Sequence, residues 1–254
     1  MKQKAHQAKQ LRAKASELLK RVVLVLAGIF YCTYAHAETW VNLTGAQSLE
    51  EGKAAWAKRD YVTAIKNFEP LARKGDPSVQ SMVGYMFDEG LGVKQDPKKA
   101  FYWYEKAAAQ GNAEAAYNLG NLYRDGRGVP QSQEKWAQSM LTSAKLGNPS
   151  AQFNVALMFT NGDHVTKDLN VAFDWLLKSA EGGDIMAQVN TGIAYAKGSG
   201  VNADYLKAYK WLVVAQRRGA PNVNEYVLYL QKRLSPTDFN TASHQVDNWL
   251  ASHK

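Results

Sequence analysis

The sequence predicts an all-α fold, a solenoid of antiparallel helix pairs, on three observations. The chain repeats itself with a period of 36 residues from Asp76 to Gly219. Within a period, apolar residues recur at helical spacing in both halves. Helix-capping and helix-stopping residues fall at the same positions in period after period.

The first element lies ahead of the repeats. Residues 1–21 hold seven of the 31 Lys and Arg residues and one of the 23 Asp and Glu residues. The high net charge of +8 therefore belongs mostly to this stretch. The body is close to neutral, which does not support a nucleic-acid-binding surface. Val22 to Ala35 is an uncharged, apolar run of 14 residues, short of the roughly 20 a membrane-spanning helix needs. Ala35-His36-Ala37 follows as an A-x-A site. Basic region, apolar region and small-residue site predict a signal peptide over 1–37, cleaved before Glu38, and a periplasmic protein. The competing reading is an uncleaved inner-membrane signal anchor facing the periplasm. Cys32 follows the bulky Phe30 and Tyr31, which does not fit a lipid-modification site. It is the single cysteine, so a cleaved chain has neither disulfide nor thiolate to use. The composition of the whole chain, 46% apolar and 21% charged, is globular and excludes a disordered or collagen-like chain.

Residues 38–75 form the next element. Gly52 to Trp56, Asp60-Tyr61 and Ala64 to Phe68 predict a helical hairpin with a short turn.

Four rows of 36 residues follow, 76–111, 112–147, 148–183 and 184–219, each starting with Asp or Asn and ending with Gly. Val79, Met82, Val83, Met86 and Phe87 occupy one helical face, and Ala100, Trp103, Tyr104, Ala107 and Ala108 repeat that spacing in the second half of the row. Asp76-Pro77, Asn148-Pro149 and Asp96-Pro97 place a capping side chain before a proline at the first helical position. Gly90, Gly126, Gly162 and Gly198 mark where each first helix stops, and Gly92, Gly128 and Gly200 recur two residues later. Gly84, Gly120, Ala156 and Gly192 let paired helices approach closely. Two departures stand out. The second row has Trp136 where the others have Ala100, Ala172 and Ala208, and Ser139 where the others have Trp103, Trp175 and Trp211. The third row has His164 in place of the second glycine.

Residues 220–254 complete the chain. Ser235-Pro236-Thr237-Asp238 predicts a helix start before Val246, Trp249 and Leu250, so the segment is expected to cap the solenoid.

Ala116-x-x-Leu119-Gly120-x-x-Tyr123-x-x-Gly126-x-Gly128-Val129 and Ala100-x-x-Trp103-Tyr104-x-x-Ala107-Ala108 resemble the Sel1-like repeat family, a relative of the tetratricopeptide repeats. The resemblance covers 76–219. It implies a right-handed superhelix whose concave groove is lined by the first helix of each pair. Residues 38–75 resemble a tetratricopeptide-type hairpin and lack G-x-G-V.

A catalytic constellation is not found. The glycine turns lack the third glycine and flanking strand of a dinucleotide site, and no G-K-S/T occurs. The five histidines, His6, His36, His164, His244 and His253, show no metal-ligand spacing, so neither metal nor cofactor is expected. Ser132 and Lys135 match S-x-x-K, but the S-D-N and K-T-G partners of penicillin-recognising enzymes are missing. Ser132 sits in the cap column that Asp fills elsewhere. Asp88-Glu89 reads as a solvated helix edge. An enzyme is not predicted, and an envelope hydrolase acting on peptidoglycan or β-lactam-like substrates is the alternative.

The resemblance implies a groove lined by Ser78, Ser81, Tyr85, Asp88 and Glu89 in the first row, and by Glu114, Tyr117, Asn121, Arg124 and Asp125 in the second. Ser150, Phe153, Leu157, Thr160 and Asn161 follow in the third row, and Met186, Val189, Ile193, Ala196 and Lys197 in the fourth. The lining shifts from acidic and polar to apolar. Exposed, the apolar end suits a peptide with an apolar anchor and a basic end toward the first row, its backbone bonded by Asn121 and Asn161. Alternatively the C-terminal helices cover it. The expected role is a periplasmic scaffold binding a protein or peptide of the cell envelope, with membrane contact only through an uncleaved N-terminal segment.

Overall fold

The computed structural model describes residues 45–253. The predicted signal peptide lies outside them. The described residues form twelve helices and no strand. They divide into two compact units between Asn67 and Phe68, a boundary inside the second helix.

In the first unit, α1 (45–57) is followed by a tight turn and the start of α2 (Tyr61–Lys74). Asp60 caps α2 by accepting the Thr63 amide at 3.1 Å. Hydrogen bonds from the Thr63 side chain and from that amide hold its carboxyl below the usual carboxylate range. Trp56 and Tyr61 meet edge to face across the turn at 5.2 Å.

The second unit is a solenoid. α3 (Pro77–Glu89), α4 (Pro97–Ala109), α5 (Ala113–Asp125), α6 (Gln133–Lys145), α7 (Pro149–Asn161), α8 (Leu169–Glu181), α9 (Ile185–Lys197) and α10 (Tyr205–Arg217) are each 13 residues long. They pack as four pairs, and the second helix of each pair packs on the first helix of the next. The length is set locally. Asp76, Asn112, Asn148 and Asp184 cap the first helices, and Asp96, Ser132, Asp168 and Asp204 the second. Each side chain accepts an orphan amide of the first turn. Gly90, Gly126, Gly162 and Gly198 stop the first helices in the left-handed conformation.

Neighbouring repeats are tied by a device that periodicity did not reveal. Gln80, Gln152 and Gln188 occupy one column and are buried. Each donates its side-chain amide to a carbonyl near the end of the preceding second helix: Ala72 at 3.0 Å, Ala144 at 3.2 Å and Ala180 at 3.1 Å. Each of those carbonyls also accepts the amide of the glycine that follows its helix, Gly75, Gly147 or Gly183. The second row has Ala116 there and lacks the tie.

The two departures from the repeat meet in space. His164 takes a left-handed φ of 61°, matching 72° at Gly128 and 71° at Gly200. A Cβ on Gly128 would lie 2.5 Å from the Pro97 backbone, and one on Gly200 would overlap the Leu169 carbonyl. The glycines are therefore forced where the turn crosses the preceding repeat, and His164 cannot sit equally close. Trp136 reaches it instead, edge to face at 6.2 Å.

After α10 come α11 (Asn224–Gln231) and α12 (Pro236–Ser252). Ser235 caps α12, accepting the Asp238 amide at 3.1 Å. Both helices pack on α10. Trp249 meets Trp211 at 6.0 Å and Phe239 meets Tyr209 at 5.6 Å. α10 carries an unbroken buried run from Trp211 to Ala215, because helices cover it on several sides.

Asp88 corrects the sequence reading. It is 5% exposed rather than a solvated edge, and Ser81 beside it on α3 is buried too. Arg127, from the turn after α5, donates to Asp88 Oδ1 at 2.7 Å.

Candidate partner-binding groove

Leu157 on α7 and Ile193 on α9 stand 36 residues apart in the same column. Equal caps and equal helix lengths bring them to the same level of consecutive pairs. They share the wall of a cleft of about 220 Å³ with Leu169, Phe173 and Leu176 of α8. Lys197 is the cleft's single charged residue, and Asn190 and Ser199 add polar edges. A second cleft of about 390 Å³ lies between α9 and α11, and Ile193 and Lys197 line it as well. Its other walls include Ala196, Tyr226, Tyr229 and Glu225. Ile193 and Lys197 thus stand at the junction of two clefts.

The junction is apolar and wet. Leu157 is 40% exposed, Tyr226 46% and Tyr229 48%. Lys197 and the Ser199 hydroxyl have no partner among the described residues. Lys197 sits in the last turn of α9, where the helix dipole favours a cation.

The residues expected along the groove do not form one surface. Leu157, Ile193 and Lys197 come together. Phe153 and Val189 are half-buried and, like Ile193, pack against the C-terminal core built from α8 to α12, so that end of the lining is covered in part. Tyr85 is exposed on α3. Tyr117 is half-buried against the core around Met140 and Val155. Arg124 pairs with Asp125 at 2.9 Å, a bond that lowers the Asp125 carboxyl. Asn161 donates to Asp163 at 3.1 Å. The Asn121 carbonyl oxygen is buried without a hydrogen-bond partner among the described residues. Tyr226 and Tyr229 were missed because they lie in the segment expected only to cap. Their spacing of three on one helix was the available signal.

Ser132 serves as a helix cap. Its Oγ accepts the Lys135 amide at 3.3 Å, and the Lys135 ammonium lies 5.0 Å from the Tyr123 ring centroid. Among the described residues no group of three or more His, Cys, Asp or Glu gathers as for a metal, and no helix is long and apolar enough to cross a membrane.

A family model for the Sel1 repeat matches residues 44–76, 77–112, 113–146, 149–184 and 185–215. Its first match falls on the hairpin that lacks G-x-G-V. The fold is similar to a Sel1 repeat protein from Oxalobacter formigenes, with a TM-score of 0.64 and 30% identity over 67% of this chain and 50% of that one. It is also similar to a protective antigen of uropathogenic Escherichia coli displaying an SLR fold, with a TM-score of 0.55 and 25% identity over 82% of this chain and 53% of that one. The chain therefore spans about half the length of these two structures. No curated protein matches it. Sel1-repeat solenoids are generally protein-interaction scaffolds and typically non-catalytic. Capped pairs, glycine turns at a fixed period and the family match agree, and the chain belongs to the Sel1 repeat family.

Proposed function

We propose that the protein is an exported periplasmic scaffold that binds another envelope protein or peptide through the groove formed by the first helices of its repeats. The observation that carries this reading is the junction at Ile193 and Lys197, where two partly apolar clefts meet on the predicted groove face. Exposed leucine and tyrosine on a wetted face favour a contact. The export part rests on the basic stretch, the short apolar run and Ala35-His36-Ala37.

Two measurements test it. The full chain and its Leu157→Asp variant, matched for helicity by circular dichroism, are used to capture proteins from envelope extract. A partner held only by the unmutated chain supports the groove, and equal capture by both overturns it. Mass spectrometry of the native protein supports cleavage if the chain begins at Glu38. A retained N-terminus would favour the inner-membrane signal anchor instead.

The hydrolase alternative had Ser132 and Lys135 as its foothold, and capping accounts for Ser132. A covalent adduct with a fluorescent β-lactam, lost in Ser132→Ala, would restore that alternative.

A further inference from the structure

We infer that the exposed face of α2, α4 and α6, from Arg73 to Lys145, lies on an anionic phospholipid bilayer. The folded repeats themselves make this contact, apart from any made by residues 1–37.

Charge argues first. The chain beyond residue 37 is close to neutral, but its charge is divided between helix layers. Residues 68–74, 94–109 and 133–145 carry eight Lys or Arg and four Asp or Glu. All eight basic side chains are exposed. Two of the four acidic groups are already engaged. Glu69 accepts from Arg73 at 2.6 Å, and Asp96 accepts the Lys99 amide at 3.1 Å. Lys94 and Lys98 have no acidic partner among the described residues. The first helices of the same rows, α3 and α5, carry four acidic residues against Arg124. The second-helix layer of these rows is therefore basic and the first-helix layer acidic.

The basic layer also has the chemistry of a headgroup-facing surface. Lys98, Tyr102 and Lys106 are spaced by four and share one stripe of α4. Tyr102 is 48% exposed, and the Lys106 ammonium lies 4.9 Å from its ring centroid. Lys99 and Lys135 occupy one column, 4.9 Å from the Phe87 ring and 5.0 Å from the Tyr123 ring. Lysine stems laid along rings, with an amphipathic tyrosine among them, suit the water–lipid boundary. Beside the stripe, a cleft of about 770 Å³ opens among Lys94, Lys98 and Lys99 over Phe87 and Val93, and basic recesses of this kind take phosphate headgroups.

An acidic protein offers the same sign of charge. The bilayer is favoured because both readings of residues 1–37, signal and anchor, bring this chain to a membrane. Charges spread over three helices also match a continuous sheet of phosphates. Attraction to such a sheet adds up over the basic side chains and fades within about 8–10 Å. The same sheet repels α3 and α5, so the groove side faces away from it.

Residue-resolved lysine acetylation of the full chain tests this, because it separates the repeats from the basic stretch at residues 1–21. The chain is treated with an acetyl ester beside vesicles of phosphatidylcholine, alone or with about 30% phosphatidylglycerol, and each lysine is read by peptide mass spectrometry. Phosphatidylglycerol should slow acetylation of Lys94, Lys98 and Lys106 about threefold and leave Lys197 and Lys232 unchanged. Salt at about 0.5 M should remove the protection. The double variant Lys98→Glu, Lys106→Glu, matched for helicity by circular dichroism, should lose it at Lys94 and Lys135. Equal protection by both vesicles, protection spread evenly to Lys197 and Lys232, or protection confined to residues 1–21 would each overturn the inference. Protection by soluble polyglutamate and not by vesicles would overturn it in favour of an acidic protein. The inference does not rest on the scaffold reading, which envelope capture with Leu157→Asp tests separately.

Discussion

Gly198 and Gly200 share a left-handed φ, 70° and 71°, but their surroundings differ. A Cβ on Gly198 would meet its nearest neighbour, the Ala203 amide nitrogen, at 3.4 Å. On Gly200 it would overlap the Leu169 carbonyl of the preceding repeat. Both alanine variants incur the left-handed penalty of about 1–2 kcal/mol. Gly200→Ala must in addition push the repeats apart. Urea unfolding should show Gly200→Ala at least twice as destabilising as Gly198→Ala. Asp88 offers a second test at this scale. Desolvation raises its carboxyl above the ordinary value, and Arg127 opposes that rise without cancelling it. A carboxyl raised in the folded state favours folding most when protonated. Its contribution is complete below the ordinary Asp value and is lost as pH rises through the native value. Stability relative to Asp88→Asn should therefore increase as pH falls through the range just above 3.8. A difference that shrinks on acidification would contradict this account.

Between elements, α6 and the turn after α7 form the irregular joint. Trp136 and His164 each break the repeat pattern, and the structure puts them in contact at 6.2 Å. A Cβ at the equivalent Gly128 or Gly200 would strike the preceding repeat, and at His164 the neighbour from that repeat is the Trp136 indole. Trp136→Ala and His164→Gly should therefore be coupled. A double-mutant cycle in urea should give an interaction energy of about 0.5–1.5 kcal/mol, the range for aromatic pairs. Additive effects would make the contact incidental. The first, third and fourth rows supply the glutamine tie at this scale as well. Column periodicity left Gln80, Gln152 and Gln188 unremarked, because a buried glutamine is recognised by the carbonyl it meets.

Across the whole molecule, the solenoid of residues 68–253 is a stack in which each pair buries the face of the next. Its C-terminal end is α10, whose Trp211 and Leu212 are buried and whose outer neighbours are α11 and α12. Ending the chain at Gly219 would uncover that face. Each large buried side chain is worth about 1.5–3 kcal/mol, so the truncated protein should lose several kcal/mol and bind a hydrophobic dye. Unchanged thermal unfolding would mean that the last two helices are dispensable. The same helices shape the candidate site, since α11 brings Tyr226 and Tyr229 to the groove while leaving Leu157 open.

The sequence by itself determined the all-α class, the repeat frame, nearly all the helix caps of the solenoid and the glycine turns. These depend on residues a few positions apart, where spacing along the chain fixes spacing in space. The family resemblance implied that Leu157, Ile193 and Lys197 belong to one lining, and in a regular stack the equal column of Leu157 and Ile193 recurs at equal levels. Only the tertiary structure decided that Asp88 is buried against Arg127, that Phe153 and Val189 are half-covered, and that α11 completes the second cleft. Burial is a property of neighbours one or more repeats away. The approach of those neighbours depends on side chains such as Trp136 and His164, where the repeat is broken.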